Sequence, residues 1–279
     1  YSTMSDTAAL TVTAVNDAPA DLSLSASTVA ENAANGTVVG TISGTDPDSG
    51  DTKAYSLTDT AGGRFAINSS TGVLTVANGA LLNYESATSH NVTARVTDSG
   101  GLTYDEIFTI NLTNVNEAPT GTDATITVTE DTARTLTTAD FGFSDVDAGE
   151  SLSAVRIDTV PGAGTLTLSG VSVTAGQVVT AADISAGNLL FTPAANATGA
   201  GYATVTFSVR DSANAYDSAP NTLTINVTAV NDAPISTGGS ATGVEDTPLV
   251  LTWGQFNVSD VDSAMTANSA VQIQSLPVA

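Results

Sequence analysis

Acidic and amide side chains recur in this sequence at fixed distances from a repeated hexapeptide. AVNDAP occupies residues 14–19 and 229–234, and NVNEAP occupies residues 114–119. A glutamate follows each hexapeptide asparagine by about one long strand, and an Asp-x-Asp follows that glutamate by fifteen residues. The three sets are Asn16, Glu31 and Asp46/Asp48; Asn116, Glu130 and Asp145/Asp147; and Asn231, Glu245 and Asp260/Asp262. Carboxylate oxygens repeated in this way favour cation binding over acid–base catalysis, which needs one tuned pair in one cleft.

The composition restricts the partners of the chain. Six lysines and arginines face 29 aspartates and glutamates, for a formal charge of −23. Such a chain repels nucleic acid and anionic membrane surfaces, so we expect neither as a partner, and it attracts cations. The alternative is that the acidic surface only keeps a marine or salt-adapted secreted protein soluble. The absence of cysteine excludes a disulfide framework and a thiolate metal site.

The chain shows no sign of membrane insertion or of a leader. No apolar run approaches the ~20 residues that span a bilayer, and no signal peptide opens the sequence. Because Tyr1 reads as the middle of a longer polypeptide, we expect the sequence to be a segment of a larger secreted or surface-anchored protein.

Apolar residues alternate with threonine, serine or asparagine before each hexapeptide. Alternation of this kind predicts a half-buried strand, and frequent Gly, Asn, Asp and Ser clusters predict turns. No stretch has a helical period, so the sequence predicts all-β sandwiches. The alternating residues are Leu10 and Val12; Phe108, Ile110 and Leu112; and Leu223, Ile225 and Val227.

The repeats predict domain boundaries and the positions of the acidic groups. We expect sandwiches over residues 18–117 and 118–232, with 1–17 as the last strand of a preceding repeat and 233–279 as the first strands of a truncated one. A strand rises ~3.3 Å per residue, so seven to ten residues cross a sandwich. The first strand should therefore carry the glutamate to the far end of its domain, and the next should return Asp-x-Asp to the near end. The hexapeptide then lies at a joint between domains.

Several longer motifs accompany these acidic groups. In residues 18–117 they are AEN 30–32, TDPDSGD 45–51, INSSTGVLTV 67–76, LNYE 82–85, VTDSGG 96–101 and NVNEAP 114–119, and in residues 118–232 they are TEDT 129–132, SDVDAGE 144–150 and LLFTPAANATG 189–199. With these motifs residues 18–117 resemble a cadherin repeat, and residues 118–232 are similar to the cadherin-like tandem repeats of very large bacterial surface adhesins. The resemblance implies Greek-key β-sandwiches in a linear array.

The same resemblance implies calcium between successive domains, held by residues carried over motif by motif. The implied ligands of the first joint are Asn16, Asp17, Asp46, Asp48 and Asp98. Those of the central joint are Glu31, Asn83, Glu85, Asn114, Asn116 and Glu117 from one domain and Asp145, Asp147 and Asp211 from the next. Those of the third joint are Glu130, Asn231, Asp232, Asp260 and Asp262, with Asp131 as a further candidate.

This ligand set is made only of carboxylate and amide oxygens, which suits calcium better than magnesium. The competing interpretation of any single Asp-x-Asp is a turn, because Asp and Asn bond their own backbone. The chain departs from the family where aspartates are usual, at Asn83, Asn114 and Glu117, and residues 118–232 lack a Leu-x-x-Glu motif. These departures affect the expected number of ions.

Nothing in the sequence predicts catalysis. His90 is the only histidine and has no nucleophile motif near it, so we expect an exposed turn residue. Trp253 and Phe256 could form a carbohydrate platform, but a core role in the following repeat is the preferred interpretation.

The function that these features favour is a calcium-stiffened extracellular stalk of a large bacterial adhesin, for cell or surface adhesion and biofilm formation. Its partners would be neighbouring repeats of the same chain. One rival is that the repeats themselves bind copies of each other or glycans. Another is end-to-end self-association into a filament or surface layer, in which residues 1–17 complement residues 233–279 of a neighbour. A module that accompanies a secreted enzyme is the third.

Overall fold

The protein is described by a computed structural model that places residues 8–262 and 270–272. The chain divides into two compact units, the first ending at Asn116 and the second beginning at Glu117. Each unit has its own sheets and its own buried core, and each is described separately below.

The first unit consists of two four-stranded sheets. One sheet has the order β1-β3-β6-β5 and the other β2-β8-β7-β4. A 3-10 turn at Gly79–Leu81 precedes β7. The strands are β1 Asp21–Leu24, β2 Thr28–Ala30, β3 Val38–Thr45, β4 Ala54–Asp59, β5 Phe65–Ile67, β6 Val73–Val76, β7 Ser89–Thr97 and β8 Thr103–Thr113.

The core of the first unit comes from the alternation seen in its sequence. In β7 every second side chain from Val92 to Val96 is buried, while those between are half-buried. Because successive side chains of a strand point to opposite faces, one face of each sheet supplies the core. The buried core includes Leu22, Ile42, Phe65, Leu74, Leu82, Val92, Val96 and Ile110.

The second unit is also almost entirely β. A five-stranded sheet has the order β14-β11-β16-β17-β9, a four-stranded sheet has the order β10-β15-β12-β13, and β18 pairs with β19. Its 3-10 turns lie at Thr138–Phe141 and Trp253–Gln255. Its elements are β9 Ala124–Thr129, β10 Arg134–Thr135, β11 Ala154–Thr159, β12 Thr165–Leu168, β13 Val171–Ser172, β14 Gln177–Thr180, α1 Ala181–Ser185, β15 Leu189–Thr192, β16 Gly199–Arg210, β17 Asn221–Thr228, β18 Ile235–Ser236 and β19 Val258–Ser259.

Aromatic and aliphatic side chains fill the core between the two larger sheets of this unit. Phe141 and Phe207 meet edge to face, with ring centroids 5.0 Å apart. This arrangement suits the quadrupoles of the two rings and adds to the gain from burial. The cluster also contains Leu136, Ile157, Val179, Leu189, Phe191, Val205, Leu223 and Ile225.

Parallel pairing of an early strand with the last long strand is common to both units. In the first unit β2 pairs in parallel with β8, and in the second β9 pairs in parallel with β17. The backbone of Glu31 continues the first pair by donating to the carbonyl of Thr113 at 3.1 Å, and Glu130 does the same to Thr228 at 3.0 Å. Each glutamate is thereby held at the end of the strand, β8 or β17, that its backbone bonds.

The structure confirms the all-β prediction and differs from the sequence interpretation in three places. The short helix α1 was not predicted; its start is capped by the Thr180 hydroxyl, which accepts from the backbone N–H of Asp183 at 3.0 Å. His90 is not an exposed turn residue, because it lies half-buried in β7. Burial and the nearby Arg64 lower the pKa of its imidazole. Trp253 contacts Phe256 but stays partly exposed.

Two further findings concern the ends and the membrane. Residues 8–20 form no strand, and the side chains of Leu10 and Val12 are exposed. Since the partner strand of 1–17 would belong to a preceding repeat, that assignment stays a prediction, and residues 1–7 lie outside the described part. Among the described residues, no helix has the length and apolar character to span a membrane.

Gly72, in the turn between β5 and β6, is the basis of a first prediction. Its φ is +71°, and a Cβ there would lie 2.1 Å from the carbonyl oxygen of Ile42. We expect Gly72→Ala to lower the free energy of unfolding by more than about 2 kcal/mol, because backbone strain and a clash with rigid backbone add. Gly36→Ala is the matched control, since Gly36 has φ +90° and open space around it. Chemical denaturation measures both, and equal losses would contradict the clash.

Candidate metal centre

The carboxylate of Glu31 lies at the end of the first unit where the chain leaves it. Its side chain is only 2% exposed. Its two oxygens accept from the backbone N–H groups of Tyr84 at 2.8 Å and Val115 at 2.9 Å. A buried carboxylate is tolerated when such donors compensate it. The arrangement joins the end of β2, the LNYE segment and the chain that follows β8.

Glu130 has the corresponding position in the second unit. It is 3% exposed, and its Oε1 accepts from the backbone N–H of Val230 at 2.8 Å. Val115 and Val230 both precede the asparagine of their hexapeptide, at Asn116 and Asn231. The same hydrogen bond, from the segment that follows the last long strand to a buried glutamate, therefore occurs in both units.

Each Asp-x-Asp forms a tight turn through its first aspartate. Oδ1 of Asp46 accepts from the backbone N–H of Asp48 at 2.8 Å. Asp145 and Asp147 repeat this at 2.9 Å, as do Asp260 and Asp262. The turn interpretation is correct, but it uses only one oxygen of the first aspartate.

The second aspartate of each turn binds the hexapeptide backbone. Oδ2 of Asp48 accepts from the N–H of Asp17, and Oδ2 of Asp147 accepts from the N–H of Glu117, both at 2.7 Å. Asp262 accepts from the N–H of Asp232 in the same way. In each of the three cases the hexapeptide backbone is thus fixed to the Asp-x-Asp turn that follows it in the sequence.

Two carboxylate oxygens of these turns are buried without a hydrogen-bond donor. They are Oδ2 of Asp46 and Oδ2 of Asp145, and neither has a partner among the described residues. A buried, unpaired carboxylate oxygen costs free energy, and a bound cation would compensate it. The atoms available to coordinate a metal at these turns are all oxygens, and oxygen ligands fit calcium.

Asp46, Asp51 and Asp98 form an acidic cluster in the first unit, each with an oxygen within 4.8 Å of the others. Asp98 is 6% exposed; its Oδ1 accepts from the N–H of Leu102 at 2.8 Å and its Oδ2 from the side-chain amide of Asn16 at 2.9 Å. Hydrogen bonding by Ser99 lowers the pKa of the Asp51 carboxyl. Asp51 was not predicted as a site residue, although it ends the TDPDSGD segment five residues after Asp46.

Glu130, Asp232 and Asp262 form a second cluster with oxygens within 4.8 Å, in the second unit. Burial raises the pKa of the Asp232 carboxyl most. The negative charges of nearby carboxylates raise it further, in the order Asp131, Asp262, Glu130 and Asp260. Carboxylates crowded in this way repel each other unless a cation lies among them. The Asn231 amide donates to the carbonyl of Asp232 at 2.9 Å.

The residues predicted for the central joint are divided between the two units. In the first unit Asn83, Glu85, Asn114 and Asn116 are exposed, and Oδ1 of Asn83 accepts from the N–H of Ser86 at 2.6 Å. In the second unit Asp211 is fully buried, and its Oδ1 accepts from the N–H of Ala215 at 2.8 Å. The structure therefore describes each half of this ligand set, and the assembled joint stays a prediction.

In both units acidic groups of a β-sandwich bind the segments that enter and leave it. Residues 25–129 match the family model of the cadherin domain. This stretch of the chain is a cadherin-like repeat, as the sequence resemblance predicts.

Solved cadherin ectodomains are similar in fold. The chain is 20% identical to the extracellular domain of protocadherin gamma B4, with a TM-score of 0.52, covering 83% of this chain and 37% of that one. Human protocadherin-24 EC1-2 is 18% identical with a TM-score of 0.51, covering 76% and 98%. Protocadherin gamma B2 domains 3–6 are 20% identical with a TM-score of 0.50, covering 80% and 53%.

The chain spans about half the length of the protocadherin gamma B2 chain and less of the gamma B4 chain. At these identities the likeness concerns the fold alone. No protein of curated function matches the sequence.

The crowding around Asp232 is the basis of a second prediction. In chelator, Asp232→Asn should raise the midpoint of thermal unfolding of the second unit, because it removes a carboxylate that its neighbours repel. In calcium the same substitution should lower the midpoint, because a charged ligand is lost. Asp246→Asn, at an exposed aspartate outside the cluster, removes the same charge as a control. A change of the same sign in both conditions would contradict a metal role for Asp232.

Proposed function

We propose that the chain is a calcium-stiffened spacer in the extracellular stalk of a large bacterial adhesin. The observation that carries the proposal is the pair of buried, unpaired oxygens on Asp46 and Asp145, at the first residue of two Asp-x-Asp turns. Both turns bind the hexapeptide backbone through their second aspartate. A cation at each turn would therefore act on the segment that enters a domain.

In this proposal the central joint holds calcium between two successive domains. Glu31, Asn83, Glu85, Asn114, Asn116 and Glu117 would come from the domain over 18–117, and Asp145, Asp147 and Asp211 from the domain over 118–232. Residues 1–17 and 233–279 would belong to the repeats before and after. Without a cation the carboxylates of the joint repel each other, so the metal is what stiffens it.

The expected calcium affinity of the sites supports a location outside the cell. Extracellular calcium modules bind at about 10⁻⁴–10⁻³ M, which matches the calcium available there. Asn83 and Asn114 take positions where the family usually has aspartate, which lowers the negative charge available to bind calcium. Sites of this strength fill outside the cell and stay empty inside it, so the stalk stiffens only after export.

Small-angle scattering of the whole chain tests this function. Excess chelator should shorten the maximum dimension or broaden the range of shapes, while circular dichroism keeps its strand signal because each unit has a core of its own. Asp145→Asn together with Asp147→Asn should leave the chain loose even in calcium. Asp21→Asn with Asp59→Asn removes equal charge at exposed positions and is the control. A scattering curve that calcium does not change would overturn the proposal.

The joints should also bind unequal numbers of ions. The proposed central joint includes Glu85, whereas residues 118–232 have no Leu-x-x-Glu motif to supply a counterpart at the third joint. Titration calorimetry should therefore show that Asp145→Asn with Asp147→Asn removes more bound calcium than Asp260→Asn with Asp262→Asn. Equal losses would mean that the family's ligand pattern does not transfer to this chain.

A further inference from the structure

Two of the six basic side chains converge on one aromatic ring in the second unit. The guanidinium carbon of Arg156 lies 4.9 Å from the ring centroid of Tyr216, and that of Arg210 lies 5.6 Å from it. Guanidinium groups stack well on aromatic faces. In a chain with 29 acidic residues, such a concentration of positive charge is not expected from composition.

The strand register places this cluster on the outer face of the five-stranded sheet. Arg156 lies opposite Ser208 in the pairing of β11 with β16, and Arg210 forms a bridge with Tyr216. Directly opposed residues of antiparallel strands share a face, as do residues two apart on one strand. The intervening Val155, Ile157, Phe207 and Val209 point inward and are fully buried. Arg156, Arg210 and Tyr216 are half-buried and reach solvent.

Hydrogen bonds fix the two arginines in place. Arg156 pairs through Nε with Asp158 at 2.5 Å and donates from Nη2 to the Ser208 hydroxyl at 3.1 Å. The Ser208 hydroxyl donates in turn to Asp158 at 2.7 Å. Arg210 donates from Nε to the Ser153 hydroxyl at 3.0 Å. A fixed guanidinium loses less rotamer entropy when it binds a ligand.

Arg210 has no ion pair within the part of the chain that the structure describes, and its two Nη groups make no hydrogen bond there. Arg156 is paired with Asp158, whereas the guanidinium of Arg210 has no carboxylate within ion-pair distance among the described residues. This charge and the unused donors are available to an anion.

Hydroxyl groups continue the same outer face next to the cluster. The register aligns Thr159 with Thr206 and Thr206 with Thr222, and it aligns Thr204 with Thr224. The hydroxyls of Thr159 and Thr206 lie 2.8 Å apart. A planar surface of hydroxyls bounded by an aromatic ring and two guanidiniums combines hydrogen bonds for sugar hydroxyls with charged donors for a carboxylate.

We propose that this face, formed by Arg156, Arg210, Tyr216 and the adjoining threonines, binds a single acidic sugar residue. The sugar carboxylate would accept hydrogen bonds from the Nη groups of Arg210, and the pyranose ring would lie on the threonine hydroxyls. The ligand carries one charge and is not a polyanion, because the −23 charge of the chain repels a long anionic polymer. A single carboxylate at the cluster is screened from the distant acidic groups beyond about 8 Å at physiological salt.

Ligand titration followed by NMR tests the proposal on the whole chain. The probes are methyl glucuronide, which carries one carboxylate, methyl glucoside, which is neutral, and polygalacturonate as the polyanion. The buffer contains chelator, so that calcium cannot bridge protein and sugar and the result does not depend on the stalk function. We expect the glucuronide to bind at least about tenfold more tightly than the glucoside. Polygalacturonate, compared per uronate residue, should bind no more tightly than the glucuronide.

Variants locate the site. Arg210→Gln should weaken glucuronide binding about tenfold or more, and Arg210→Lys should weaken it less, because lysine keeps the charge and loses the planar fork. The control is Arg95→Gln, at an arginine paired with Asp105 in the first unit, and should not change binding. The Lys variant keeps the test valid if the Gln variant fails to fold.

Two outcomes would overturn the proposal. One is equal affinity for glucuronide and glucoside, or affinity that Arg210→Gln leaves intact, which would make the cluster a purely structural feature. The other is dimerisation of the chain, measured by sedimentation, that Arg210→Gln abolishes while glucuronide does not bind. That result would mean that the cluster docks on an acidic surface of a second copy.

Discussion

The rest of the structure depends on the burial of carboxylates at the points where the chain enters and leaves a sandwich. Glu31 and Glu130 are almost completely buried, and each accepts from the backbone of the segment that leaves its sandwich. Asp48 and Asp147 accept from the segments that enter. A carboxylate held by backbone N–H groups is compensated for its burial but keeps its negative charge. The fold therefore concentrates negative charge where the chain enters and leaves each sandwich, and a bound cation would neutralise it.

The strand content and much of the core could be predicted from the sequence, because a two-residue period is sufficient to assign faces. Val92, Val96 and Ile110 alternate in the sequence and are buried in the structure. The helix α1 was not predictable from periodicity, since five residues are shorter than two helical turns. His90 lies on the face of β7 that Val92 and Val96 share, opposite the buried Ile110. A polar side chain there interrupts the apolar alternation, so the sequence does not show that the strand begins before Val92.

The acidic groups show where sequence reasoning ends. Their spacing predicted that Glu31 and the Asp46/Asp48 pair lie at opposite ends of one sandwich, and the structure places Glu31 beside Val115 and Asp48 beside Asp17. The choice between turn and ligand could not be made from spacing, because one aspartate has two oxygens and can do both. Asp51 was missed since it lies outside the Asp-x-Asp motif, and only the turn at Asp48–Asp51 brings it back to Asp46.

The parallel pairing within each unit has a consequence for a chain under tension. β9 is the first strand of the second unit and β17 is the last of its five-stranded sheet, and the two run side by side in the same direction over six aligned residue pairs. A pull on the two ends of the unit drags these strands in opposite directions along their length, so that the bonds between them share the force and must break together. In the first unit β2 and β8 align over only three pairs. Under the same pull the first sandwich should rupture before the second, because fewer bonds between its two parallel strands share the force.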